Sequence, residues 1–141
     1  MTSLTDQRVR SFLLEGTRTG KLAYTASDGR PLVAPVWFTV EGEEIVLNTG
    51  KTSAKGRSIL RDPRVALSVD LERPPYSFVQ VQGVAEVSED PDELLRTATV
   101  IAARYMGEDR AEEFGRRNGV PGELVVRIRP TKVIAGLDVT E

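Results

Sequence analysis

The segment between positions 49 and 57 groups the residue types best suited to binding an anion. It contains three hydroxyl side chains and three cations, namely Thr49, Thr52 and Ser53 with Lys51, Lys55 and Arg57. Thr52 or Ser53 is expected to cap a short helix, which leaves backbone N–H groups near the start of that helix without intrahelical partners. A helix N-terminus with hydroxyls and cations beside it can bind the phosphate of a monoester. A capped surface helix with solvated lysines fits the same residues equally well.

Trp37, Gln80 and Gln82 are the other side chains that could contact a ligand. Trp37 is the only tryptophan of the 141 residues, and its ring could stack on a flat heterocycle or lie in a core or an interface. Gln80 and Gln82 lie on an otherwise apolar predicted strand, where buried amides need hydrogen-bond partners. A ligand, a second subunit or water could supply those partners.

Cysteine and histidine are both absent from the sequence. Their absence excludes disulfides, Ser-His-Asp and Cys-His catalysis, and metal sites built from thiolate or imidazole. The carboxylates Glu41, Glu43 and Glu44 fall at a predicted hairpin tip, where we expect solvated side chains rather than an acid–base pair. No catalytic residue and no metal site are therefore predicted, and an enzyme of this composition would need a cofactor to supply its chemistry.

The charge balance and the apolar pattern bear on the partners of the protein. The sequence has 19 Lys and Arg against 21 Asp and Glu, a net charge of -2, whereas nucleic-acid-binding domains are usually basic. No apolar run approaches the roughly 20 residues that span a bilayer. Residues 1–15 also lack the apolar stretch of a signal peptide. We therefore expect a cytoplasmic protein without a nucleic-acid or membrane partner.

Six strands, joined mainly by short turns, are predicted to position these residues. They are expected at Lys21–Ala26, Leu32–Val40, Glu44–Asn48, Arg64–Leu71, Phe78–Ser88 and Glu123–Ile134, the last interrupted or bulged at Pro130. Helices are expected after a cap at Thr5 or Asp6, after Thr52 or Ser53 as far as Asp62, after Asp90, and over Glu108–Arg117. Because crossover helices between the strands are missing, the pattern favours a small antiparallel barrel over a parallel sheet.

The predicted strand Leu32–Val40 is apolar on both faces. Leu32, Ala34, Val36 and Phe38 would lie on one face, with Val33 and Trp37 on the other. A strand of this kind is expected to be buried on both faces, by the core on one side and by a second subunit on the other.

Several segments together resemble the pyridoxamine 5′-phosphate oxidase-like split-barrel superfamily of flavin and deazaflavin proteins. The resemblance is carried by Gly29–Phe38, Leu47–Thr49, Ser53–Leu67 and Val81–Ala85, in this order and spacing. The stretch from Lys55 to Leu67 is the specific part. The resemblance implies a mainly β, α+β fold, a six-stranded antiparallel split β-barrel of the FMN-binding type with flanking helices. The length of 141 residues and the lack of a linker or internal repeat predict one domain, residues 1–141.

The resemblance also implies a homodimer with two cofactors bound between its subunits. Thr49 and Lys55 match positions that hold the cofactor phosphate, and Asn48, Ser53, Ala54 and Arg57 are the neighbouring positions of that site. Pro35, Val36 and Trp37 would lie near the ring system. The cations Lys51, Arg57 and Arg61 are candidates to bind the acidic glutamate tail of a deazaflavin cofactor.

Departures from the family pattern decide the expected cofactor. Vitamin B6 oxidases have an Arg-Lys pair where this chain has Ala54-Lys55, and they use a C-terminal histidine that this chain lacks. The resemblance is therefore to the branch that uses the deazaflavin coenzyme F420, with FMN as the alternative.

The resemblance to this branch implies hydride transfer from reduced F420 to a small, conjugated, planar substrate. The following proton would come from water or from Tyr24, Tyr76 or Tyr105. The alternatives are an FMN-dependent oxidoreductase or flavin reductase, a cofactor-binding or storage protein without turnover, and a degenerate split barrel with an interaction role.

Overall fold

Seven antiparallel strands form one sheet in the computed structural model, which describes residues 2–138. The strands are β1 (Gly20–Thr25), β2 (Pro31–Val36), β3 (Thr39–Glu41), β4 (Glu44–Gly50), β5 (Arg64–Asp70), β6 (Phe78–Ser88) and β7 (Glu123–Gly136). Their order across the sheet is β2-β1-β5-β6-β7-β4-β3. Alternate residues of each strand point to opposite faces, so the alternating apolar positions of the sequence form one buried face.

Four α-helices flank the sheet, and side chains cap three of them. The helices are α1 (Gln7–Leu14), α2 (Ala54–Arg61), α3 (Pro91–Met106) and α4 (Ala111–Asn118), with a 3-10 turn at Glu108–Arg110 before α4. Asp6, Ser53 and Asp90 accept hydrogen bonds from backbone N–H groups at the starts of α1, α2 and α3. None of the helices within residues 2–138 is long and apolar enough to cross a membrane.

The main apolar core lies inside the curled sheet. All seven strands contribute to it, including the two edge strands, which supply Val36 from β2 and Val40 from β3. Because both edges bury side chains in the same core, the sheet curls on itself into a split barrel. The predicted mainly β, α+β fold with flanking helices is confirmed.

The predicted number of six strands was wrong, because Leu32–Val40 is two strands. The first part, β2, pairs with β1 from Val36 opposite Gly20, and β3 pairs with β4 from Thr39 opposite Val46. Trp37 and Phe38 turn the corner between them. A single straight strand could not pair with both β1 and β4, because these two strands lie near opposite edges of the sheet. The apolar alternation continues through Phe38, which is fully buried, so it hides the break.

The predicted irregularity at Pro130 is confirmed. Gln82 pairs with Lys132 and Gly83 with Pro130, so Thr131 is the extra residue of a bulge. Gly83 is needed there, since a Cβ at this position would lie 2.5 Å from the carbonyl oxygen of Arg129.

Glu41 and Glu44 belong to an ion-pair network, so their prediction as solvated turn residues was wrong. Arg96 of α3 contacts both carboxylate oxygens of Glu41, at 2.8 and 3.0 Å. Arg127 of β7 bonds Glu41 at 3.2 Å and Glu93 at 2.7 Å, and lies 3.5 Å from Glu44. Hydrogen bonds from these arginines hold the pKa values of Glu41 and Glu93 below their ordinary value of 4.5. The network ties the β3–β4 hairpin to α3 and β7.

Replacing Arg127 with Met is expected to lower stability at pH 7 by about 1–2 kcal/mol, because charged groups lose a hydrogen-bond partner. The folded-state pKa values of Glu41 and Glu93 are depressed, so their contribution is complete above the ordinary carboxyl pKa and is lost as the pH falls through the folded values. The free energies of unfolding of wild type and variant, measured in urea, should therefore converge as the pH falls below 4.5 and through the depressed folded-state pKa values.

Arg129→Met is the matched control, since Arg129 lies on the same strand but forms an exposed pair with Glu86. Its removal should change stability by less than about 0.5 kcal/mol. Equal losses in the two variants would contradict a special role for the network.

Candidate functional site

The start of α2 is held rigidly at the end of β4. The Ser53 hydroxyl accepts a hydrogen bond from the Gly56 N–H at 3.1 Å and donates one to the Gly50 carbonyl at 2.7 Å. Gly56 lies so close to this carbonyl that an added Cβ would be 2.0 Å from its oxygen. Ser53 is therefore the helix cap, and its proton is already used. The buried Thr49 hydroxyl lies 3.3 Å from that of Ser53.

Two backbone donors at this helix start have no acceptor. Among residues 2–138, nothing accepts a hydrogen bond from the N–H of Ala54 or of Lys55. These groups carry the positive end of the helix dipole. They are the free donors that the sequence predicted at this position.

The four predicted cations differ in what they contact. Lys51 pairs with Glu89 at 3.2 Å. Arg61 donates to the Thr25 carbonyl at 3.1 Å and to the Ser58 hydroxyl at 3.3 Å, which ties α2 to β1. Within the described part of the chain, the half-buried Lys55 and the exposed Arg57 form no hydrogen bond or ion pair through their side chains. Lys55 and Arg57 are thus the cations available to an anion at α2.

Glu123 is a charged residue of this region that the sequence did not reveal. It is the first residue of β7 and pairs with Gly50, the last residue of β4. A Cβ on Gly50 would lie 3.0 Å from Oε2 of Glu123 and 4.0 Å from the nitrogen of Ser53. Burial raises the pKa of the Glu123 carboxyl, and the charge of Lys55 partly offsets that increase. Only the pairing of β4 with β7 brings Glu123 here, so no local sequence signal could have found it.

The groups at α2 fit a phosphate. Two unpaired N–H groups at a helix N-terminus and the free cations Lys55 and Arg57 are donors of the kind that phosphate oxygens accept, and the Thr49 hydroxyl lies beside Ser53 at the same helix start. Glu123 is the one acidic group placed against this set by the contacts above, and it would repel an anion.

The predicted ring-contacting residues lie at the corner between β2 and β3. Val36 is buried in the core, and Pro35 is exposed. Trp37 stacks on Tyr105 of α3, with ring centroids 5.0 Å apart and planes 3° apart, and 37% of it remains exposed. The pairing of β3 with β4 ends at Thr39 and Val46, so the sheet splits beyond this point. The corner is on one side of the split, and Thr49 is on the other.

Asn48 has a structural contact that its neighbour Thr49 does not share. Its amide donates to the Thr97 hydroxyl of α3 at 3.0 Å. Successive strand residues face opposite ways, so Asn48 faces α3 while Thr49 faces the side of α2.

The three candidate proton donors have distinct surroundings. The Tyr105 hydroxyl donates to the Arg18 carbonyl at 2.9 Å and accepts from the Phe38 N–H at 3.3 Å, and burial raises its pKa. Tyr24 is buried, and Tyr76 is exposed with a left-handed φ of 56°. Tyr105 thus fastens the corner beside Trp37 to α3, which leaves its proton committed.

The outer face of the sheet carries small and apolar residues in a flat row. Strand pairing places Val33, Ala23, Ala66 and Gln82 side by side across four strands. Val33 is 67% exposed, and a shallow groove of about 480 Å³ lies over this part of the sheet. Gln82 donates to the Gln80 side chain at 2.9 Å, so the two glutamines partner each other on this face.

Comparison with known proteins relates this geometry to one family. Residues 5–135 match the family model described as pyridoxamine 5′-phosphate oxidase. The conserved hypothetical protein Rv2991 from Mycobacterium tuberculosis has a similar structure, with a TM-score of 0.83 and 27% identity over 96% of this chain and 86% of that one. A structure of an F420 reductase has a TM-score of 0.69 and 29% identity, over 88% of this chain and 94% of that one.

Two other proteins share the fold or part of the sequence. The heme storage protein HutZ from Vibrio cholerae matches 96% of this chain and 98% of its own at a TM-score of 0.74 and 16% identity, a likeness of fold alone. A phosphate acyltransferase of Azorhizobium caulinodans is 31% identical over 98 residues. That match covers 62% of this chain and 27% of the acyltransferase, so this chain spans about a quarter of that relative's length.

Replacing Tyr105 with Phe is expected to destabilise the protein by about 1–2 kcal/mol, because the Phe38 N–H and the Arg18 carbonyl lose their partner. The stacking on Trp37 should persist, so the tryptophan emission of the folded variant should match that of wild type. Denaturant unfolding followed by this emission measures both effects. Tyr76→Phe, at an exposed position, is the control and should cost under about 0.5 kcal/mol. Two indistinguishable unfolding curves would show that the Tyr105 hydroxyl contributes nothing.

Proposed function

The chain belongs to the pyridoxamine 5′-phosphate oxidase family, and from this membership we propose that it is an F420-dependent oxidoreductase acting on a small, planar, conjugated molecule. The observation that carries the proposal is the donor set at α2, where two free N–H groups, Lys55 and Arg57 can meet a cofactor phosphate. The likeness to an F420 reductase at 29% identity supports the choice of cofactor.

The composition agrees with chemistry that a cofactor supplies. The chain has neither histidine nor cysteine, so the usual protein nucleophiles and neutral-pH bases are absent. When bound, F420 supplies the hydride, and the protein has only to bind and orient the cofactor and the substrate.

Each part of the site has a proposed task in binding. Lys55, Arg57 and the free N–H groups of Ala54 and Lys55 hold the phosphate, with the Thr49 hydroxyl beside them. The exposed edge of Trp37 and the neighbouring Pro35 border the ring. The Trp37 indole is held by its stack on Tyr105, so it forms a preorganised wall. Because the Tyr105 hydroxyl donates its hydrogen bond to the backbone carbonyl of Arg18, water is the favoured source of the proton that follows the hydride.

The protein should bind F420, and replacing Lys55 or Arg57 with Ala should weaken binding by about 10-fold or more, the usual loss for a charged hydrogen bond. Titrations of cofactor-free protein with F420 and, separately, with FMN measure this through cofactor fluorescence. Arg116→Ala removes an exposed cation of α4 that pairs with Glu112, and it should leave both affinities unchanged.

The outcomes of this titration separate the candidate functions. Tighter binding of FMN than of F420 would move the protein to the flavin-dependent branch. Tight F420 binding without turnover of quinones, enones or tetrapyrroles would indicate a binding or storage protein. Equal binding by wild type and both variants would refute the assignment of the phosphate site to α2.

We further propose that two copies pair through the outer face of the sheet and complete each other's cofactor site. Val33 is strongly exposed on this face, beside the small residues Ala23 and Ala66. Exposed apolar side chains beside small residues are typical of an interface between subunits.

Replacing Val33 with Asp should convert the dimer to monomers and weaken cofactor binding, because a charge would be buried in the interface. Analytical ultracentrifugation measures the mass of each species. Val120→Asp changes another exposed valine, 40% exposed and outside this face, and should leave the dimer intact. A monomeric wild type that binds the cofactor tightly would exclude the proposed interface.

A further inference from the structure

The carboxylate of Glu123 stands beside the proposed phosphate site without a partner. Within residues 2–138 its side chain accepts no hydrogen bond and forms no ion pair, although it is only partly exposed. Its Oε2 atom and the nitrogen of Ser53 both lie within 4.0 Å of the point where a Cβ on Gly50 would stand. A partly buried carboxylate normally finds a donor, so this placement requires an explanation.

Resting on the proposed cofactor site, we propose that Glu123 selects the charge of the bound phosphate, favouring the singly charged diester of F420 over the doubly charged monoester of FMN. Lys55 is the cation that acts on Glu123, and the same ammonium group is the one proposed to bind the phosphate. The charge of Lys55 would therefore attract both Glu123 and the ligand, although Glu123 and Lys55 form no ion pair within residues 2–138, and Glu123 also repels the ligand directly.

No other unpaired carboxylate is found next to Glu123 within residues 2–138, so Glu123 is the local group that repels a bound phosphate. Lys51, the other nearby cation on this stretch, is neutralised by Glu89. The α2 helix has no acidic residue in its first turn. The two glycines next to Glu123 carry no side chain. Gly50 lies opposite Glu123 on the paired strand, and Gly122 precedes it in the turn. Among residues 2–138, one unpaired carboxylate, that of Glu123, thus opposes the donor set.

The selectivity follows from Coulomb's law. The energy between two charges is proportional to their product, so a fixed carboxylate repels a dianion about twice as strongly as a monoanion at the same position. A phosphomonoester carries a charge of about −1.5 to −2 at neutral pH, whereas a phosphodiester carries one negative charge. The acidic tail of F420 extends beyond the phosphate, where salt screens its interaction with Glu123 over roughly 10 Å.

The test is the change in affinity for four ligands when Glu123 is replaced with Gln. Dissociation constants are measured at one ionic strength for FMN, F420 and their phosphate-free analogues, riboflavin and the deazaflavin riboside. Both phosphorylated cofactors should bind more tightly to the variant. The change in log Kd for FMN should be about twice that for F420, and the two phosphate-free analogues should not change.

Two controls exclude a general effect of charge or folding. Glu43→Gln removes one exposed carboxylate from the β3–β4 turn and should leave all four dissociation constants unchanged. The melting temperature of Glu123→Gln at pH 7 should be no lower than that of wild type, because ionising a partly buried carboxyl with a raised pKa disfavours the fold above its ordinary pKa.

The outcomes distinguish this inference from the proposed function on which it rests. If wild type binds neither cofactor, the proposed function fails. If both bind and Lys55→Ala weakens them, but Glu123→Gln changes the two log Kd values equally or not at all, the phosphate site stands and charge selection by Glu123 is wrong. Weaker binding by Glu123→Gln would also overturn the inference, since Glu123 would then be a direct partner of the ligand.

Discussion

One run of chain, residues 31–41, has to close the sheet at both of its edges. Its first half pairs with β1 and its second half with β4, so the strand must turn between them. The turn opens a split between β2 and β4, and α2 packs across the split against both β1 and β4. Ile59 of α2 is buried in the main core, which anchors the helix there. The candidate site follows from this split.

The position of α2 depends on a close approach that only glycine allows. Gly56 sits against the Gly50 carbonyl, and the Ser53 hydroxyl bonds the same carbonyl from one side and the Gly56 N–H from the other. These contacts use Ser53 completely and fix the direction of the helix start. Within residues 2–138, the N–H groups of Ala54 and Lys55 are left without an acceptor. Ligand binding there needs little further ordering, which lowers its entropic cost.

Local patterns in the sequence predicted the strands, the helix caps and the segment at α2, because periodicity and capping are properties of neighbouring residues. They failed where the structure depends on distant pairing. The break at Trp37 was hidden because both Val36 and Phe38 are apolar and buried. Glu41 meets Arg96 and Arg127 only after the hairpin, α3 and β7 come together. Glu123 reaches Gly50 only through the β4–β7 register. Such partners carry no sequence signal of their own.

Polar groups that have hydrogen-bond partners and polar groups that lack them lie in different parts of this fold. Arg104 bonds three backbone carbonyls, those of Leu13, Gly16 and Phe38, and within residues 2–138 the buried side-chain polar atom left without a partner is Nε of Arg18. At α2 the opposite holds, since two N–H groups, Lys55 and Glu123 lie close together without pairing. Local conflicts of this kind reduce stability, and folds keep them mainly at functional sites. The same residues that weaken the fold at α2 are therefore those expected to recognise the ligand.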